Sequence, residues 1–175
     1  DKWWDMLDGN FARAFAANGA DQALAWQLAR QVRQVYPQPQ YFQLYEDTLP
    51  TLDMLSEQGW AHIILSNHVP EFRAIAQALG LTRRVRHIFN SAEIGYEKPH
   101  PQTYRLVLDA IPDAEAIWMI GDNPVADVQG AEAAGIPAIL VRKPHGGVTR
   151  FSPDLASVAN LLSETGRPGM VAIHI

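Results

Sequence analysis

The chain contains no cysteine, which removes disulfides, zinc–thiolate sites and thiol nucleophiles. It has no basic run either. A net charge of −5 and a pI near 5.6 argue against nucleic-acid or membrane-surface partners. No apolar stretch approaches the ~20 residues needed to span a bilayer, and no basic-then-apolar leader is present. We therefore expect a cytoplasmic protein. Apolar residues make up 47% of the 175, ample for the core of one domain with a small insertion. An initiator Met is also missing: the chain opens "DKWWDMLDGNF".

Residues 1–36 predict helix. Trp3, Trp4, Leu7, Phe11 and Phe15 recur at helical spacing, as do Leu24, Leu28, Val32 and Val35 after the Asn18-Gly19 break. Pro37 and Pro39 mark a linker. We expect two parts, a helical segment at 1–40 and a core at 41–175. Within the core, helices at 49–58, 70–79, 101–110, 124–134 and 153–162 alternate with apolar strands at 61–65, 87–90, 117–120 and 138–141. Such alternation predicts an α/β fold, a Rossmann-like parallel sheet with helices on both faces. The tail "MVAIHI" is expected to add an edge strand.

In parallel sheets, ligands bind beyond the carboxyl ends of the strands. After the first strand stand Ser66 and Asn67, with Pro70 opening a helix, a setting for a phosphate-like anion or simply a turn. Lys98 follows the second strand, between Glu97 and Pro99-His100-Pro101. There it could neutralise a phosphoryl group or a carboxylate nucleophile, although most lysines are solvated surface residues. After the third strand comes "GDNPVAD". Asp122 or Asn123 could cap the next helix. Capping does not explain Asp127 one turn on, and paired carboxylates suit Mg²⁺.

In combination, "ILSNH", "EKPHPQTY", "IGDNPVAD" and "GAEAAGIPAILV" resemble the haloacid dehalogenase-like (HAD) hydrolase superfamily over about residues 45–162. The first three look like its second, third and fourth motifs. The resemblance implies a Mg²⁺-dependent phosphatase acting on a small phosphorylated substrate through an aspartyl-phosphate. Ser66 and Asn67 would bind the phosphoryl group, Lys98 would stabilise its charge and orient the nucleophile, and Asp122 and Asp127 would hold Mg²⁺. Residues 1–40 would be part of a helical cap. The paired acids fit phosphatases better than the metal-independent dehalogenases.

One motif of that family is missing. Its Asp-x-Asp-x-Thr, which follows an apolar strand and supplies the nucleophile and general acid, has no match in residues 1–175. "DMLDGN" places Asp5 and Asp8 three apart in a helical pattern, so we expect surface helix acids. "MVAIHI" resembles the strand leading into such a motif, without the acids. That strand is central in the family, and its loss would leave unpaired backbone in mid-sheet. Either a segment precedes Asp1, the explanation we favour, or another segment such as "MVAIHI" fills the slot in a non-catalytic binding or scaffold protein. On either account residues 1–175 alone are expected to be inactive. Trp3, Trp4, Phe11 and Phe15 could line a cap pocket or merely pack. His68, His100 and His145 receive no role beyond a weak prospect of substrate contact.

Overall fold

The computed structural model describes residues 2–163 and 169–173. Helices α1 (Lys2–Ala17) and α2 (Gln22–Val35) form an antiparallel hairpin whose break at 18–21 contains Gly19 at φ +97°, a left-handed value that glycine tolerates. A 3₁₀ turn, Pro39–Tyr41, lies in the expected linker and leads to α3 (Thr48–Glu57). Strands and helices then alternate: β1 (Ala61–Ser66), α4 (Phe72–Ala78), β2 (His87–Asn90), α5 (Ser91–Ile94) and α6 (Pro101–Ala110). The second half continues with β3 (Ile117–Gly121), a π-helical segment (Pro124–Gln129), α7 (Gly130–Ala133), β4 (Ala138–Val141), β5 (Phe151–Ser152), α8 (Leu155–Ser163) and β6 (Met170–Ile173).

Six parallel strands form one sheet in the order β2-β1-β6-β3-β4-β5. Successive strand side chains point to opposite faces, and the two cores follow that rule. Ile64, Ile120, Ile139 and Val141 pack on one face with α3, α4 and α8 residues such as Leu52, Phe72 and Val158. Ile63, Leu65, Met119 and Leu140 pack on the other with Tyr104, Val107 and Val128. Burial on both faces explains why these strands read as continuous apolar runs. The hairpin joins the first core through Trp4, which is buried and whose Nε1 donates to the Glu71 carboxylate (3.0 and 3.2 Å).

Of the two places considered for the tail, the edge is corrected and the central slot is the one it takes. β6 is central, with Ile173 in register with Ile64 of β1 and Ile120 of β3. The expected gap in mid-sheet is therefore filled. His174 and Ile175 of "MVAIHI" lie outside the described residues. A second correction concerns Asp8, which is buried on α1 beside Arg33 (3.8 Å) rather than solvated, while Asp5 is exposed and pairs with the same arginine (3.1 Å). Both acids thus tie the hairpin together. No described helix is long and apolar enough to cross a membrane.

Candidate active site

Ser66, Asn67, Lys98, Asp122 and Asp127 all stand at the carboxyl end of the sheet, because each follows or closes a strand or begins the next helix. Ser66 is the last residue of β1 and is buried. Beyond it the Asn67 side chain clasps the Lys98 backbone at both ends: Nδ2 donates to the Lys98 carbonyl (2.9 Å), and Oδ1 accepts the Lys98 amide (2.8 Å). Anything Asn67 lends a phosphoryl group comes from its backbone or the second Nδ2 hydrogen. The next amides are occupied within the chain, His68 N by Ser91 Oγ (3.2 Å) and Val69 N by His68 Nδ1 (2.9 Å).

The clasp fixes where Lys98 goes. Its Nζ is buried and donates to the Leu65 carbonyl (2.7 Å) and to Asp127 Oδ1 (2.6 Å). Burial pushes the Lys98 ammonium down from the usual lysine range, and Asp127, with a smaller contribution from Asp122, pushes it back up. A buried ion pair is tolerated only where further hydrogen bonds complete it. Here Asp127 Oδ2 also accepts the Asn123 amide (2.9 Å).

Asp127 reaches this position through two local devices. Asn123 Oδ1 caps the segment after β3, accepting Val125 N (3.0 Å) and Ala126 N (2.8 Å), so Asn123 rather than Asp122 is the cap. The segment then winds as a π-helix, with Val128 N reaching Asn123 O (3.3 Å), a geometry frequent at functional sites. Gly121 makes room: a Cβ there would lie 2.3 Å from Asp127 Cγ. Three residues that the sequence did not single out hold the frame. Asn90, fully buried, donates to Val69 O (2.8 Å); Ser91 holds His68; Tyr104 OH donates to Ala126 O. Burial, reinforced by Asp127, raises the Tyr104 phenol well above its usual range, so it remains a donor. A short polar residue closing a four-residue strand was the available signal for Asn90.

Asp122 differs from Asp127 in being exposed. It borders a cavity of about 290 Å³ walled by Phe42, Leu44, His68 and Phe72. A second cavity, of about 240 Å³, is lined by Trp3, Trp4, Phe11, Asn67 and His68, so three of the four expected aromatics face this end of the sheet. Phe15 lines a different cavity, with Leu28 and Val35. His68 forms part of both walls and packs against Phe72 (4.5 Å), Phe42 (5.4 Å) and Tyr36 (6.2 Å). His100 caps α6 through Nδ1 and stacks on Tyr96.

Mg²⁺ typically takes one or two carboxylates and completes its shell with water and substrate oxygens. Asp122 fits one such place. Both Asp127 oxygens already have partners, and among the described residues no group of three or more His, Asp or Glu could hold a metal. The donor set fits a partial site rather than a protein cage.

A haloacid dehalogenase-like hydrolase family model matches residues 1–135, from the helical hairpin through all three strand-end motifs. The chain belongs to this family. Among its relatives, it is 35% identical to a phosphoserine phosphatase of Thermus thermophilus over 102 residues, covering 57% of this chain and 41% of that one. It is 32% identical to a phosphoglycolate phosphatase of Rhodospirillum rubrum over 141 residues, 74% of this chain and 58% of that one. The chain thus spans about half the length of these curated relatives. The fold matches that of the magnesium-bound HAD-hydrolase YfnB from Bacillus subtilis, with a TM-score of 0.73, 24% identity, and coverage of 91% of this chain and 71% of that one.

Proposed function

We propose that the full-length protein carrying these residues is a Mg²⁺-dependent phosphoric monoester hydrolase acting on a small phosphorylated substrate, with residues 1–40 contributing a cap over a core at 41–175. The observation that carries this reading is the buried Lys98 ammonium held between the Leu65 carbonyl and Asp127, with Ser66 and Asp122 at the neighbouring strand ends. A fixed cation in a low-dielectric setting favours the charge that develops on a transferring phosphoryl group. Ser66 and Asn67 receive that group, and Lys98 offsets its charge. Asp122 holds Mg²⁺, which supplies further charge neutralisation when bound. Asp127 acts through Lys98 and Asn123, keeping the ammonium in place and supporting the metal carboxylate. Names of the phosphatase relatives support this reaction class.

No Asp-x-Asp occurs in residues 1–175, so the attacking carboxylate comes from elsewhere in the full-length protein. Residues 1–175 alone should not turn over a generic phosphate ester such as 4-nitrophenyl phosphate, and Mg²⁺-dependent hydrolysis by that polypeptide would sink this division of labour. The full-length protein should lose hydrolysis in EDTA and regain it with Mg²⁺. That loss would argue against a metal-independent dehalogenase, and hydrolysis that persists in EDTA would overturn the Mg²⁺ dependence. A second reading, a non-catalytic phosphate-binding protein, is favoured by one observation, the presence of β6 in the central slot. An intact mass of 19.4 kDa for the native protein would support it.

A further inference from the structure

We infer that the cavity opening at Asp122 selects phosphate monoesters whose leaving group is neutral and apolar, an aryl ester being the simplest, and disfavours esters that carry a second anion. This inference rests on the phosphatase reading above and deepens it to a substrate class.

The cavity is about 290 Å³, at the small end of small-molecule sites, which run to about 300–1,000 Å³. Its walls come from the 42–45 linker, from Phe72 and Ile75 of α4, and from Val141 and Leu155, so most of the surface offered to a leaving group is hydrocarbon or aromatic ring. Burying such a group is favourable in proportion to its apolar area. A second carboxylate or phosphate would instead need a cation, because a buried anion without a partner is costly.

Among the described residues lining the cavity, Arg142 is the one lysine or arginine, and it is already committed. Its two terminal nitrogens donate to both Asp47 oxygens (2.9 and 2.8 Å) in a bidentate fork. The guanidinium also sits 3.9 Å from the Tyr45 ring centroid. Asp47 in turn accepts the Leu155 amide at the start of α8 (2.7 Å). Arg142 is pinned from its backbone too, at φ +75°, a conformation that non-glycine residues hold only when their surroundings enforce it. Among the described residues, the adjoining cavity is lined by no lysine or arginine and has Glu97 in its wall. Among the described lining residues, acidic esters such as the phosphoglycolate and phosphoserine named for the relatives therefore meet no lysine or arginine other than the Asp47-bound Arg142.

The test is calorimetric binding to residues 1–175 with Mg²⁺, using inorganic phosphate, 1-naphthyl phosphate, 2-phosphoglycolate and 1-naphthol. The expected result is binding of phosphate, with 1-naphthyl phosphate tighter than 2-phosphoglycolate by about ten-fold or more. Phosphate binding with 2-phosphoglycolate equal to or tighter than the aryl ester overturns the inference and leaves the phosphatase site standing. If phosphate does not bind, the site reading falls, and 1-naphthol then decides the cavity: binding upholds its apolar selectivity, and no binding removes it. Asp47→Asn supplies an independent arm, since the amide can still accept the Leu155 N–H while the guanidinium loses its carboxylate. That variant, shown to be folded by its thermal transition, should bind 2-phosphoglycolate several-fold more tightly than the parent chain. An unchanged affinity would contradict the claim that Asp47 neutralises the cavity.

Discussion

Lys98 and Asp127 depend on each other in a way that a lysine and an aspartate on a surface would not. Both side chains are almost wholly enclosed, so removing one strands a buried charge. Lys98→Met should destabilise the chain by about 3–5 kcal/mol, read as a lower urea midpoint. Lys98→Met combined with Asp127→Asn should recover part of that loss, because the amide oxygen still accepts the Asn123 amide and no buried charge remains. A double variant less stable than the single one would show that the pair is not the coupling described. Gly121 is the second residue-scale test. Its missing Cβ is space that Asp127 uses, so Gly121→Ala should cost about 1–3 kcal/mol through overpacking. Gly146→Ala, which meets nothing within 4 Å, should be close to neutral. At low pH the vulnerable pair is Asp47–Arg142. The Arg142 hydrogen bond holds the Asp47 carboxyl below its ordinary value. Its stabilisation is therefore complete above about pH 4 and is lost as pH falls through the lowered folded value.

At the scale of elements, strand positions were legible and helix shapes less so. The runs "IILS" and "AILV" are buried on both faces, and a parallel sheet has few other ways to use such runs. The short β5 pairs with β4 through two residues, too few to show any period. The expected helix at 124–134 proved to be a π-helical turn followed by α7. Nothing in "PVADVQ" announces that, because the extra residue per turn is imposed by the need to bring Asp127 to Lys98 while Tyr104 holds Ala126. Contact between α3 and β1 carries its own pH dependence. His62 is buried, with Nε2 2.9 Å from Leu52 O and 3.0 Å from Ser56 Oγ, while Nδ1 has no partner. Burial pushes its pKa below 6.5, so the unfolded chain takes up the proton first as pH falls. Stability should be full above about pH 6.5 and decline from there through the folded value. Urea midpoints at pH 7.5 and 5.5 measure this, and His62→Gln, which keeps a donor for Leu52 O, should flatten the difference.

For the whole molecule, the absent first motif and the position of β6 are one question. The residues of the second, third and fourth motifs were readable because each couples a strand end to an unusual polar residue. What the sequence left open was whether "MVAI" lies at an edge or between β1 and β3, since its apolar pattern would suit either equally well. The pairing decides it: β6 is in register with four residues of β1 and with four of β3. A central strand satisfies amides and carbonyls on two neighbours, and its removal converts both into bare edges facing each other across a gap. An edge strand lost from the same sheet would expose one neighbour. Deleting residues 164–175 should therefore abolish the cooperative urea transition or leave the chain insoluble, whereas Phe151→Gly, which weakens the edge strand β5, should lower the midpoint and keep the transition cooperative. A cooperative, soluble chain ending at residue 163 would mean that the sheet does not rely on β6, and that its central slot is open to another strand.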